Sequence, residues 1–190
     1  MKLNLPNRLT LLRIIMIPLF AVFFFVKAIP LNYVWATVVF CLAAFTDFLD
    51  GYYARKLNLV TSLGKFLDPI ADKVLVSTAL ILLLTVPAVL PAVFGGICVS
   101  IILARELMIS AFRQIAATKN VVMAADKVGK TKTCFQDFAI IILLVSCQLI
   151  GTSVFVYFYY TGLATLAVAT VLTIVSAINY IAKNSQVLKD

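Results

Sequence analysis

The sequence contains no histidine. The side chain that most often moves protons near neutral pH is therefore missing, and so is the imidazole ligand common to zinc sites. The four cysteines, Cys41, Cys98, Cys134 and Cys147, lie singly in apolar surroundings with no Cys-x-x-Cys pair. That spacing supports neither a zinc site nor a disulfide framework and reads as packing. Charge is scarce as well: 13% of residues are charged, with eight acids against sixteen Lys and Arg. Linkers, low-complexity tracts and internal repeats are absent, so residues 1–190 read as a single domain.

What fills the chain is apolar, 63% of residues with a mean hydropathy of +1.08. Soluble domains are about half apolar, so the solvent for most of this chain is lipid. Six stretches, near 8–27, 32–55, 66–86, 91–117, 132–151 and 154–182, are long enough as helices to cross a hydrocarbon core of about 30 Å. Lipid offers no partner to an open backbone amide, and these runs are too long and continuous for barrel strands. The first run lacks a small-residue cleavage site and carries Arg8 and Arg13 near its start, which argues against a removable leader. Its opening, Leu3 to Thr10, mixes polar and apolar residues around Pro6 and reads as an interfacial segment. The predicted fold class is an all-α integral membrane protein with six transmembrane helices and a short N-terminal interfacial segment.

Turn signals at Ile29–Asn32, Pro87–Pro91 and Gly151–Ser153 fall on one side of the membrane, and polar loops near Lys56–Lys65 and Thr118–Lys132 on the other. Of the sixteen basic residues only Lys27 lies on the turn side, which predicts a multi-pass cell-membrane protein with both termini in the cytoplasm. Topology and attraction to anionic lipids or phosphate substrates account for the net charge of +8 without nucleic acid. Phe23–Phe25 and Tyr157–Tyr160, near the outer helix ends, read as interface anchors or lipid-facing bulk.

Against this background the acids stand out. An Asp near the centre of a spanning helix costs roughly 2.5–3.5 kcal/mol on insertion scales and so demands compensation. Asp47 and Asp50 lie three apart in the second run, and Asp68 and Asp72 four apart in the third, so each pair shares a helical face. A short loop joins the two helices, so the faces meet at similar depth, where four like charges repel unless cations hold them. Carboxylates without His or Cys favour hard cations such as Mg²⁺ or Mn²⁺, and two such ions suit an in-line phosphoryl displacement. With no histidine, a carboxylate is also the natural general base. The competing structural role, capping or pairing with Arg55, Lys65 and Lys73, suits one or two of the four. Gly51, Ala54 and Gly64 either tighten helix packing or make room for a nucleotide, and Arg55 can grip a phosphate oxygen.

Together these residues spell Asp47-x2-Asp50-Gly51-x2-Ala54-Arg55-x8-Gly64-x3-Asp68-x3-Asp72, which resembles at every position the signature of the CDP-alcohol phosphatidyltransferase family. Pro6-Asn7-Arg8-Leu9-Thr10-x2-Arg13, Ala104-Arg105-Glu106 with Arg113, and Gly129-Lys130-Thr131-Lys132-Thr133 resemble the branch that uses glycerol phosphate. The resemblance implies a six-helix, usually dimeric enzyme that moves a phosphatidyl group from CDP-diacylglycerol to an alcohol and releases CMP. It implies Asp47, Asp50, Asp68 and Asp72 as holders of two metal ions and Asp72 as the base. By the same resemblance Asp50, Gly51, Ala54, Arg55 and Gly64 line the CDP-diacylglycerol site.

Arg105 and Arg113, eight apart, share a helical face, with Lys130 and Lys132 just after the following loop. The four predict a basic cup for a phosphorylated acceptor, sn-glycerol 3-phosphate rather than serine or choline. Against that, the lysines read as ordinary loop charges and Arg105 as neutralised by Glu106. The rival acceptors are inositol phosphate and phosphatidylglycerol. The rival from another class is a divalent-cation transporter, disfavoured because the acids sit near the inner helix ends beside a basic cup.

Overall fold

The long apolar runs, interrupted only at short Pro- and Gly-containing turns, form α-helices in the computed structural model, which describes residues 5–56, 62–118 and 127–184. In chain order they are α1 (Leu5–Phe25), α2 (Asn32–Lys56), α3 (Ser62–Leu84), α4 (Ala92–Thr118), α5 (Lys127–Leu149) and α6 (Phe155–Lys183). Among the described residues, four helices carry stretches long and apolar enough to cross a membrane, Asn7–Phe25, Ala92–Ala116, Gly129–Leu149 and Phe155–Lys183, and α2 carries a shorter one, Asn32–Thr46. Hydropathy locates the helices but understates α5, which starts five residues before the expected span. Apolarity marks where lipid begins, whereas a helix extends as far as its backbone bonds do. Lys130 and Lys132 therefore stand on the opening turns of α5, not in a loop.

The expected interfacial opening, Leu3 to Thr10, lies partly outside the described residues; from Leu5 onward it is helical and continuous with the rest of α1, which runs to Phe25. Asn7, Thr10 and Arg13 are buried, turned into the protein. Hydroxyls elsewhere in the bundle satisfy themselves locally: Thr37 Oγ1 donates to the Tyr33 carbonyl at 2.7 Å, Thr170 to Leu166 at 2.8 Å and Thr173 to Ala169 at 2.7 Å. These bonds to the preceding turn let polar side chains lie in an apolar bundle without an open donor.

The turns at the α1–α2, α3–α4 and α5–α6 junctions are tight. At the first, Leu31 takes φ 55° and Asn32 Nδ2 donates to the Phe24 carbonyl at 3.1 Å, occupying an acceptor that the end of α1 leaves open. At the last, Gly151 has φ 89°, a conformation that a Cβ would strain.

Helix α1 packs on α2 and α3, α2 on α5, α5 on α6, α6 on α4, and α4 on α3. Phe20, Phe40, Leu75, Leu83, Ile102 and Leu143 fill the centre. Where α5 meets α6 the approach is close: a Cβ on Gly162 would stand 2.7 Å from Leu143 Cδ2. Small residues at such crossings let packing contacts replace a hydrophobic drive that lipid does not supply. Lipid accepts the opposite faces, where Ile15, Val93, Leu107, Val171 and Ile178 are exposed.

Two expectations need correction here. Phe24 is buried in the core with its ring edge-on to Tyr33, so the Phe23–Phe25 run is not uniformly outward. The helical period alternates faces within three consecutive residues, and Phe25 alone of these is exposed. Cys98 and Cys147 are buried as packing residues should be, whereas Cys134 is exposed on α5.

Candidate active site

Because α2 ends and α3 begins around residues 57–61, the acids can be placed by counting from that junction. Asp50 lies six residues before the end of α2 and Asp68 six after the start of α3; Asp47 and Asp72 lie nine and ten residues from the same ends. At about 1.5 Å per residue the two pairs sit at matching depths on helices that pack together. Among the four, Asp72 has a described side chain. The side chains of Asp47, Asp50 and Asp68, and those of Gly51, Ala54, Arg55 and Gly64, lie outside the described residues, although their backbones belong to α2 and α3. An all-oxygen donor set at matched depth suits a hard divalent cation by its chemistry.

Asp72 opens onto a cavity of about 240 Å³ that α3, α4, α5 and α6 enclose. The predicted cup is there: Arg105 and Arg113 from α4, and Lys130 and Lys132 from α5, all line it. Four cations from two helices thus share one cavity with a carboxylate from a third. Lys73, Gly129, Thr133 and Tyr180 complete the wall with Glu106. A narrower recess of about 20 Å³, room for a single water, lies between Asp72, Ser77, Glu106, Lys132 and Gln136.

Hydrogen bonds hold the cations in place. Glu106 Oε1 accepts from Arg105 Nη1 at 3.3 Å and also from Lys132 Nζ. Lys132 is only 3% exposed, so it is no ordinary loop charge. Its neutralisation by Glu106 keeps a buried ammonium tolerable. Arg105 shares the same carboxylate and directs Nη2 to Ser176 Oγ at 2.7 Å. Arg113 Nε donates to Tyr180 Oη at 3.0 Å, and its guanidinium carbon lies 5.3 Å from that ring's centroid. Lys73 Nζ donates to Ser110 Oγ, which donates in turn to the Glu106 carbonyl at 2.5 Å. Lys130 is exposed at the mouth.

Sequence reasoning found the cations because charge in a spanning helix is conspicuous. It passed over Ser176 and Tyr180, both buried on α6. The available signal was the row Thr173, Ser176 and Tyr180, polar residues at helical spacing in the half of α6 away from its Tyr-rich start.

A polar cavity inside a helical bundle, lined by Asp72 and Glu106 together with Lys73, Arg105, Arg113, Lys130 and Lys132, suits chemistry on a phosphorylated lipid group. The chain belongs to the CDP-alcohol phosphatidyltransferase family, whose pattern matches residues 3–182. Within that family it is similar to proteins named CDP-diacylglycerol--glycerol-3-phosphate 3-phosphatidyltransferase. The one from Bacillus subtilis is 41% identical over 199 aligned positions, covering 98% of this chain and 97% of the relative. The Rickettsia bellii protein is 41% identical over 177 positions, 93% of each. That of Salmonella typhimurium is 37% identical over 195, 95% of this chain and 94% of its own.

Proposed function

We propose that this protein transfers the phosphatidyl group of CDP-diacylglycerol to sn-glycerol 3-phosphate, giving phosphatidylglycerophosphate and CMP in phospholipid biosynthesis. The observation that carries this reading is the shared cavity: Arg105, Arg113, Lys130 and Lys132 line the same cavity of about 240 Å³ as Asp72. The names of the relatives, aligned over nearly the whole chain, support the same pair of substrates. An acceptor without a phosphate, such as serine or choline, would bring less negative charge to the cationic wall.

In this reading the acceptor's phosphate lies on the basic wall and its hydroxyl points toward Asp72, which takes the proton as the oxygen attacks phosphorus. The bond to CMP breaks as the bond to the acceptor forms, so no covalent enzyme intermediate is required. Gly51, Ala54, Arg55 and Gly64 line the nucleotide side, and the acyl chains stay in lipid. Asp47, Asp50, Asp68 and Asp72 hold the divalent cations, Mg²⁺ or Mn²⁺ and two in number. When bound, such ions neutralise the diphosphate and stabilise the departing CMP. The bundle spans the cell membrane six times as a homodimer, with both termini and the site on the cytoplasmic side.

The test is CMP release by detergent-purified protein given CDP-diacylglycerol and Mg²⁺, with and without sn-glycerol 3-phosphate, with EDTA as control. Release that needs both metal and acceptor is the expected result. Transfer to inositol phosphate but not to glycerol 3-phosphate would replace the acceptor. Folded protein that releases no CMP under any metal would return the aspartates to a cation-transport role.

A further inference from the structure

Arg105 and Arg113 are eight residues apart on α4, a separation of about 12 Å along the helix axis. A single phosphate is far smaller than that. Their partners on α6, Ser176 and Tyr180, are only four residues apart, about 6 Å. Since α4 and α6 both run away from the short-turn end, they lie side by side in parallel, and the deeper arginine meets the deeper hydroxyl. The two guanidiniums thus bind hydroxyl side chains rooted one helical turn apart on α6, although the two arginines leave α4 about two turns apart.

We infer that Ser176 and Tyr180 are positioning residues for recognition of the acceptor's phosphate: α6 sets the spacing and orientation of the two arginines. The inference rests on the reading of the cavity given above. Tyr180 is suited to the task because it cannot move: it is 2% exposed, packed with Ile109, Phe112 and Ala116, and held edge-on by the Phe112 ring at 6.1 Å. Its hydroxyl takes the Nε proton of Arg113 and leaves the two terminal amino groups to the cavity. That pair forms the edge of the fork that grips phosphate oxygens in parallel. Ser176 anchors Arg105 at its terminal groups instead: Nη2 donates to Ser176 and Nη1 to Glu106, and each keeps a second N–H. A long, flexible side chain ordered in advance gives up less entropy when the anion arrives. Gly129 lies beside both groups: a Cβ there would rest in ordinary contact with Ser176 Oγ at 3.6 Å and Arg105 Nη2 at 3.9 Å.

The experiment is steady-state kinetics on Tyr180→Phe, Arg113→Ala and the double variant, with inorganic phosphate as a competitor of the acceptor. Tyr180→Phe keeps the ring and its packing and removes only the hydroxyl. It is expected to raise the acceptor KM roughly three- to tenfold and weaken phosphate inhibition in parallel, with kcat and the CDP-diacylglycerol KM little changed. In the Arg113→Ala background the same substitution should add nothing, because its effect passes through that arginine. Ser176→Ala is expected to act alike, and Ser176→Thr to restore the acceptor KM. If Tyr180→Phe disturbs both substrates equally, or costs as much without Arg113 as with it, the role is structural and the inference fails. If Arg113→Ala raises the acceptor KM while Tyr180→Phe does not, the inference fails and the acceptor site stands. An acceptor KM unchanged by Arg113→Ala overturns both.

Discussion

Glu106 is the acid that makes the basic wall possible. It accepts from Lys132 and Arg105 at once, so its removal leaves a nearly buried ammonium without its counter-charge. Breaking a buried pair on one side costs more than the pair is worth, on the order of 3 kcal/mol. Glu106→Ala is accordingly expected to lower the thermal midpoint in detergent by several degrees, with Glu106→Gln intermediate; an unchanged midpoint for both would show the lysine finding another partner. Asp72 is instead the base in the proposed reaction. Asp72→Asn should keep the fold and part of the metal affinity but lose at least about two orders of magnitude in turnover, the usual weight of a general base. Metal titration beside CMP release separates the two effects, and near-normal turnover would remove Asp72 as the base. Charged residues were legible in the sequence because each violates the preference of lipid for apolar side chains. Ser176 and Tyr180 were not, because a hydroxyl that can bond the preceding turn carries no such penalty and attracts no notice.

Helix packing depends on where side chains are small. Gly162 on α6 faces Leu143 on α5 so closely that a side chain there must displace the Leu143 side chain. Gly162→Leu is therefore expected to destabilise by about 1–3 kcal/mol. Gly96 on α4 serves as the control: a Cβ there meets nothing within 4 Å, so Gly96→Ala should leave the midpoint unchanged in the same thermal assay. Equal loss from both would indicate a general cost of side chains at helical glycines rather than a crossing. The existence and order of the helices followed from the apolar runs, as did most of their limits. The early start of α5 did not, because its first turns are polar and only the backbone ladder marks them as helix. The burial of Phe24 beside exposed Phe25 likewise needed the neighbouring helix to distinguish the faces.

At the scale of the whole molecule, the described residues separate an apolar exterior from a polar cavity, and in the proposed reaction that cavity opens toward the side where the water-soluble acceptor is found. The distribution of basic residues predicts that side to be the cytoplasm. Single cysteines replacing Lys27 and Lys183 in a cysteine-free background should be labelled by a membrane-impermeant maleimide from opposite faces of sealed vesicles; labelling from one face would reverse or abolish the proposed topology. The sequence by itself determined the membrane character, the helices and their order. Lipid exacts a penalty for each open amide and each stray charge, so those features are written residue by residue. The tertiary structure alone decided that Arg105 meets Ser176 and Arg113 meets Tyr180, and that Lys132 is buried against Glu106. Such partners lie tens of positions apart and are brought together only by how rigid helices settle against one another, a property of their combined shapes that no local pattern carries.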